Sequence, residues 1–139
     1  MTVKYGPGLD LQIALVAILK ADADVKGLLG TPARIYQDVP DLPTFPYVTI
    51  GDDHNVPDLA QFLDGSEIFL DIHVWSRGPG MTECKKIGAT IMSAIPPAVV
   101  LSQNRNLLVE PRNQRYLTDA DTITSHGVIT LRALTEPSG

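Results

Sequence analysis

The chain has 139 residues, 44% of them hydrophobic and 19% charged, with a formal net charge of −5. That length suits one domain, 1–139, with one core, and the composition lacks the low hydrophobicity and high charge that keep chains disordered. With 11 Lys and Arg against 16 Asp and Glu and no basic cluster, the footprint of a protein that grips nucleic-acid phosphate is absent, and the lone Cys84 excludes an intramolecular disulfide and points to folding in the cytoplasm.

Residues 9–20 are strong helix formers without Gly or Pro. The apolar run there is broken by Asp10 and Gln12 and is too short to span a bilayer, so no membrane segment is expected. Projected at helical spacing, Leu9, Ile13, Val16 and Lys20 share one side while Leu11, Leu15, Ile18 and Leu19 take the other. Such a helix needs cover on two sides, either from its own domain or from a neighbouring subunit. An Asp cap in "ADAD" predicts a second short helix through Val25, Leu28 and Leu29 to Gly30.

Residues 34–36 form a candidate edge strand, followed by "VPDLPTFP", where Pro40, Pro43 and Pro46 forbid regular pairing. Residues 47–51 predict a strand with Val48 and Ile50 on one face, and residues 52–66 a long polar loop ending at the turn signal Asp64-Gly65. The next strand, 68–77, carries an aliphatic row of Ile68, Leu70, Ile72 and Val74, opposed by Glu67, Phe69, Asp71, His73, Trp75 and Arg77. That second face is too greasy for plain solvent and too polar for a second core. From Thr82, a plausible cap, the period turns helical through Cys84, Ile87, Gly88, Ile91 and Ile95, and Pro96-Pro97 stops it. Extended segments 107–116 and 122–134 then read as an antiparallel hairpin, with Ile123, Gly127, Ile129 and Leu131 on the buried side. The order predicts an α+β fold: an antiparallel sheet with two main helices packed on one face.

Catalytic chemistry finds little support. Asp52, Asp53, His54 and Asp58 form the densest group of potential metal ligands, yet they match neither calcium-loop nor zinc-ligand spacing, and a solvated acidic loop is the simpler reading. His73 and Asp71 share a strand face, as an acid/base pair would, but no nucleophile motif accompanies them, which favours a cross-strand bond or an interface pair. Cys84 on an apolar helical stripe reads as a buried structural thiol. No cofactor, metal or catalytic residue is assigned. The competing reading is a small enzyme or ligand-binding module that uses the Asp71/His73/Trp75 face as a pocket; an interaction module of other origin is a third.

Taken in order, "ALVAILKADADVKGLLG", "RIYQDVP", "FPYVTIGDD", "LDIHVWSR" followed by a helix, and "HGVITLRAL" resemble the tail-completion, or tail-terminator, family of long-tailed bacteriophages, prophages and gene transfer agents. The resemblance covers nearly the whole chain. It implies a structural, non-enzymatic virion protein of the tail and neck, assembled as a ring, commonly a hexamer. Such a ring caps the head-proximal end of the tail tube and offers a docking surface to the head-tail connector. A ring subunit needs a second contact surface, so the resemblance makes Tyr47, Phe69 and Trp75 aromatic anchors there, with Asp71, His73 and Arg77 as polar partners. It makes the 52–66 loop, with Asp52, Asp53, His54, Asp58 and Phe62, a contact for the tail tube or connector. An acidic ring would also let DNA pass without sticking.

Overall fold

Proline at the first position of a helix gives up an N–H that has no partner there anyway, and helix α1, Pro7–Ala21, begins on one. It ends at Asp22, whose carboxylate accepts the N–H groups of Asp24 and Val25 at 3.0 Å and so caps the next helix, α2, Ala23–Leu29. These positions belong to a computed structural model that describes residues 6–58 and 65–137. The remaining elements are β1 (Ile35–Tyr36), β2 (Tyr47–Asp58), β3 (Gly65–Ser76), α3 (Thr82–Ala94), β4 (Asn104–Thr118) and β5 (Ser125–Pro137). No described helix is long and apolar enough to cross a membrane.

The strands form one sheet in the order β1-β2-β3-β5-β4. It is an α+β arrangement, but the sheet is mixed and not purely antiparallel as expected, because β1 runs parallel to β2 through Ile35↔Val48 and Tyr36↔Thr49. The proline-punctuated connection carries the chain back to the end it left instead of reversing it in a hairpin, and the Arg34 Nε donor to the Pro46 carbonyl, 2.8 Å, pins that return. Among the described residues there are three helices, the short α2 standing beside the two main ones.

The predicted alternation of β3 holds: Ile68, Leu70, Ile72 and Val74 are fully buried. They join Leu11, Leu15 and Leu19 of α1, Ile87 and Ile91 of α3, and Ile129, Leu131 and Ala133 of β5 in one cluster. Each such aliphatic side chain withdrawn from water contributes about 1.5–3 kcal/mol. Only one side of α1 is used this way, since Leu9 and Ile13 remain 44% and 43% exposed. Cys84 lies in the core, its thiol 3.8 Å from the Val74 carbonyl.

Three local expectations are corrected. Residues 52–58 and 65–66 are paired strand, from Asp52↔Asp71 to Asp58↔Gly65, and not loop. A bulge at Gly51, φ 150°, shifts the alternation by one, so a run poor in strand formers continues β2 with its polar side chains exposed. Ile123 is 61% exposed and not buried, because the Asp121 carboxylate accepts the N–H groups of Ile123 and Thr124 and holds them in a turn before β5 begins. Thr82 is the first helical residue and not the cap of α3; the cap position is Met81, without a side-chain bond.

Candidate functional site

Cross-strand register decides which side chains share the uncovered face of the sheet. Tyr47, Trp75, His126 and Leu117 form one row, Thr49, His73, Val128 and Arg115 the next, and Asp52, Asp71, Thr130 and Asn113 the third. The aromatic members stack. Trp75 lies on His126 with ring centroids 3.8 Å apart and planes 10° apart, Tyr47 follows Trp75 at 6.3 Å, and Phe45 packs on Tyr47 at 5.0 Å with its plane tilted by 58°. The indole N–H of Trp75 donates to the Thr49 hydroxyl at 3.2 Å, so its polar handle is satisfied within the chain. Arg77 sits 4.2 Å above the Phe45 ring and donates through Nε to the Thr124 hydroxyl.

Beside this ladder, His73 Nδ1 and His126 Nε2 are 2.8 Å apart, and His73 Nε2 is 3.0 Å from Asp52 Oδ2. A single proton serves the gap between the two rings. Burial, then the neighbouring His73, lowers the His126 pKa from its ordinary value, so His126 is neutral near neutral pH. Asp71 is engaged elsewhere, accepting the Thr130 hydroxyl at 2.6 Å. His73 and Asp71, which share a strand face, thus bond across to neighbouring strands and not to each other. Asp71 and Thr130 are directly opposed, about 5 Å apart, while Asp52 and His126 are diagonal neighbours of His73, a separation that long side chains still bridge. Further along, Arg132 bridges Glu67, at 2.5 Å, and Glu110, at 3.0 Å.

The aromatic and polar residues singled out in the sequence, Tyr47, Phe69, Asp71, His73, Trp75 and Arg77, thus lie on one face, with Phe69 a row away from Asp71 and stacked on His54 at 4.8 Å. Tyr47 is nearly covered by its ring neighbours Tyr36, Phe45 and Trp75 and presents little surface of its own. Asp52 is on the same face, whereas Asp53 projects beside Gly8 at the start of α1. The side chain of Asp58 and the whole of Phe62 lie outside the described residues. His126 and Thr49 complete the cluster and were not singled out. The alternation of β5 places His126 on its polar face, but only the register of β5 on β3 brings it to Trp75 and His73.

Chemically the cluster is a set of mutually satisfied polar groups around stacked rings. Among the described residues no hydroxyl or thiol nucleophile bonds to His73, and the Cys84 thiol, pushed up to about 11 by burial, is on the opposite side of the sheet. An open groove of about 520 Å³ runs past Gln12, Thr49, Gly51, Asp52, His73 and Trp75. Among the described residues no three His, Cys, Asp or Glu are grouped to hold a metal ion.

Known proteins resemble this chain along most of its length. Residues 13–136 match the family described as Tail completion protein gp17. Tail completion protein gp17 of Bacillus phage SPP1 is 28% identical over 89 residues, 63% of this chain and 66% of the relative, so the alignment spans just under two thirds of that protein. A chain in the virion of a native gene transfer agent particle superposes with a TM-score of 0.86 at 24% identity, covering 96% of this chain and 99% of that one. The structure of SPP1 gp17 superposes at 0.59 with 25% identity, over 91% and 88%. Because the family match runs from the middle of α1 to the end of β5, this chain belongs to the Tail completion protein gp17 family.

Proposed function

We propose that the chain is a structural, non-enzymatic subunit that caps the head-proximal end of a tail tube as a ring, hexameric by family resemblance, and offers the docking surface for the head-tail connector. The family match through nearly all the secondary structure carries this reading. The apolar outer side of α1 supports it, since Leu9 and Ile13 are large hydrophobics left half-exposed in the isolated subunit. On this reading the face built on Trp75, His73, Asp71, Phe69 and Arg77 meets a neighbouring subunit, and its pre-stacked rings lower the entropic cost of that contact. Side chains toward the tip of the 52–58 arm of β2, past Asp52 and Asp53, meet the tail tube or connector.

Deleting the coding sequence should give heads and tails that rarely join, with joining restored by the chain supplied in trans. Imaging of the restored particles should show a ring of this protein at the neck. Normal joining without the chain, or its location elsewhere in the particle, would overturn the reading.

A further inference from the structure

The sheet leaves two strand edges without a partner among the described residues. β1 covers β2 only at Val48 and Thr49, so the edge of β2 from Ile50 to Asp58 faces no strand, and on the other side β4 has no strand beside it, its edge being engaged at Val109, whose N–H donates to the Pro97 carbonyl, and left open beyond, through Arg112 and Arg115. Open edges this long present rows of N–H and C=O groups that natural proteins usually blunt, cover or pair. The two edges also differ in charge. β2 offers Asp52, with its side chain 80% exposed, and Asp53. β4 offers Arg112 and Arg115, both exposed and neither in an ion pair with a described carboxylate. Each edge strand also carries an exposed apolar side chain, Val56 on β2 and Leu117 on β4.

Resting on the ring reading above, we propose that copies of this chain join head to tail by sheet extension, β4 of one copy pairing with the open edge of β2 of the next. Direction permits it. β2, β3, β5 and β4 alternate in sense, so β4 runs opposite to β2. A neighbour related by rotation about an axis along the strands keeps its β4 in that sense, and the new pair is antiparallel. Charge decides between the possible pairings: β2 on β2 opposes carboxylates and β4 on β4 opposes guanidiniums, whereas β4 on β2 sets Arg112 and Arg115 toward Asp52 and Asp53. A contact between two different edges is heterologous, the kind that closes into a ring and not into a dimer. Asp52 and Arg115 lie on the same sheet face, so a continued sheet brings their side chains to the same side.

The test is a charge swap. Arg115→Glu alone and Asp52→Arg alone should each weaken association by about tenfold or more, read by light scattering at concentrations where the wild type assembles, or by incorporation into particles where it assembles only there. An equal mixture of the two variants should regain assembly, because in an alternating ring every contact again opposes unlike charges. Amide exchange of the wild type should show new protection along β2 and β4 on assembly, a readout independent of whether either variant folds. Single variants that assemble like the wild type, a mixture that stays apart while each variant folds, or unchanged exchange at both edges within a formed ring would refute edge pairing and leave the ring standing. A wild type that forms no ring, in solution or on particles, would refute the ring itself.

Discussion

Asp10 is the most consequential polar residue in the fold, and its replacement tests how α1 is fastened. It is 1% exposed, in the first turn of α1, and its carboxylate accepts the backbone N–H groups of Ser102, Gln103 and Asn104 at 3.2, 3.0 and 2.9 Å, the Ser102 hydroxyl at 2.9 Å and the Asn104 amide at 3.0 Å. These bonds tie the start of α1 to the chain entering β4, more than 90 residues later in the sequence. A hydrogen bond to a charged group contributes about 1.5–3 kcal/mol, and because Ser102 is exposed and Gln103 and Asn104 are half-buried, the cost lies in the lost bonds to the buried carboxylate and not in stranded donors. The bonds share one carboxylate and do not add, so Asp10→Ala should destabilise the subunit by about 3–5 kcal/mol. With a slope of about 1.5 kcal/mol per molar urea, typical of a small protein, the unfolding midpoint should fall by about 2–3 M with the slope unchanged. Asp10→Asn, which keeps one acceptor, should lose less. Burial raises the Asp10 pKa, but the bonds from Asn104, Gln103 and Ser102 together outweigh it and leave the pKa lowered from 3.8. The stability this provides is present above pH 3.8 and is lost as pH falls through the folded-state pKa, so Asp10→Ala should also flatten the acid limb of the stability curve. A midpoint drop below about 0.5 M would refute the clamp.

Gly127 admits no side chain: a Cβ there would stand 2.9 Å from Tyr116 Cε1 and 3.1 Å from Cys84 Sγ, so Gly127→Val should cost about 1–3 kcal/mol in urea unfolding, and Gly127→Val at wild-type stability would contradict the packing. Because the His126 pKa is lowered from 6.5, the unfolded chain takes up that proton first on acidification; stability should be full above pH 6.5 and decline as pH falls from there toward the folded-state pKa, a slope that His126→Gln should reduce in pH-dependent urea titrations. Trp75→Ala removes the His126 stack and the Thr49 bond but no member of the helix-facing core, so it should keep near-native circular dichroism, lose about 2 kcal/mol of subunit stability and lower the yield of joined particles; a fully unfolded variant or unimpaired joining would each contradict the role given to that face.

The sequence made plain whatever rests on local period. The aliphatic row of β3 and the apolar stripe of α3 follow from alternation and helical spacing, and the cap at Asp22 from its residue type. Elements held by distant partners were hidden. The outer half of β2 is rich in Asp, Asn and Gly and breaks step at Gly51, so nothing local marks it as strand; it is strand because β3 continues opposite it. Asp10 looked like a blemish in an apolar run, since its donors come from 102–104. The face around Trp75 was legible as a set of residue types but not as a network, because its bonds run between strands.

That network bears on how the subunit meets its neighbours. A face on which Trp75, His73, Asp71 and Arg132 already have partners holds its side chains in place, and docking against it loses little rotamer freedom. It also offers few unmet donors or acceptors, so its contribution to affinity would come from covering stacked rings. The unmet groups lie instead at the two strand edges, where polar backbone requires a partner or water. If the edges fix which copy sits beside which, the face adds to that contact by covering its stacked rings against the neighbour. Edge variants should then abolish oligomers in isolated protein, whereas face variants such as Trp75→Ala should leave edge protection intact and act on joining in the particle. Loss of edge protection in Trp75→Ala would show that the two surfaces form a single interface.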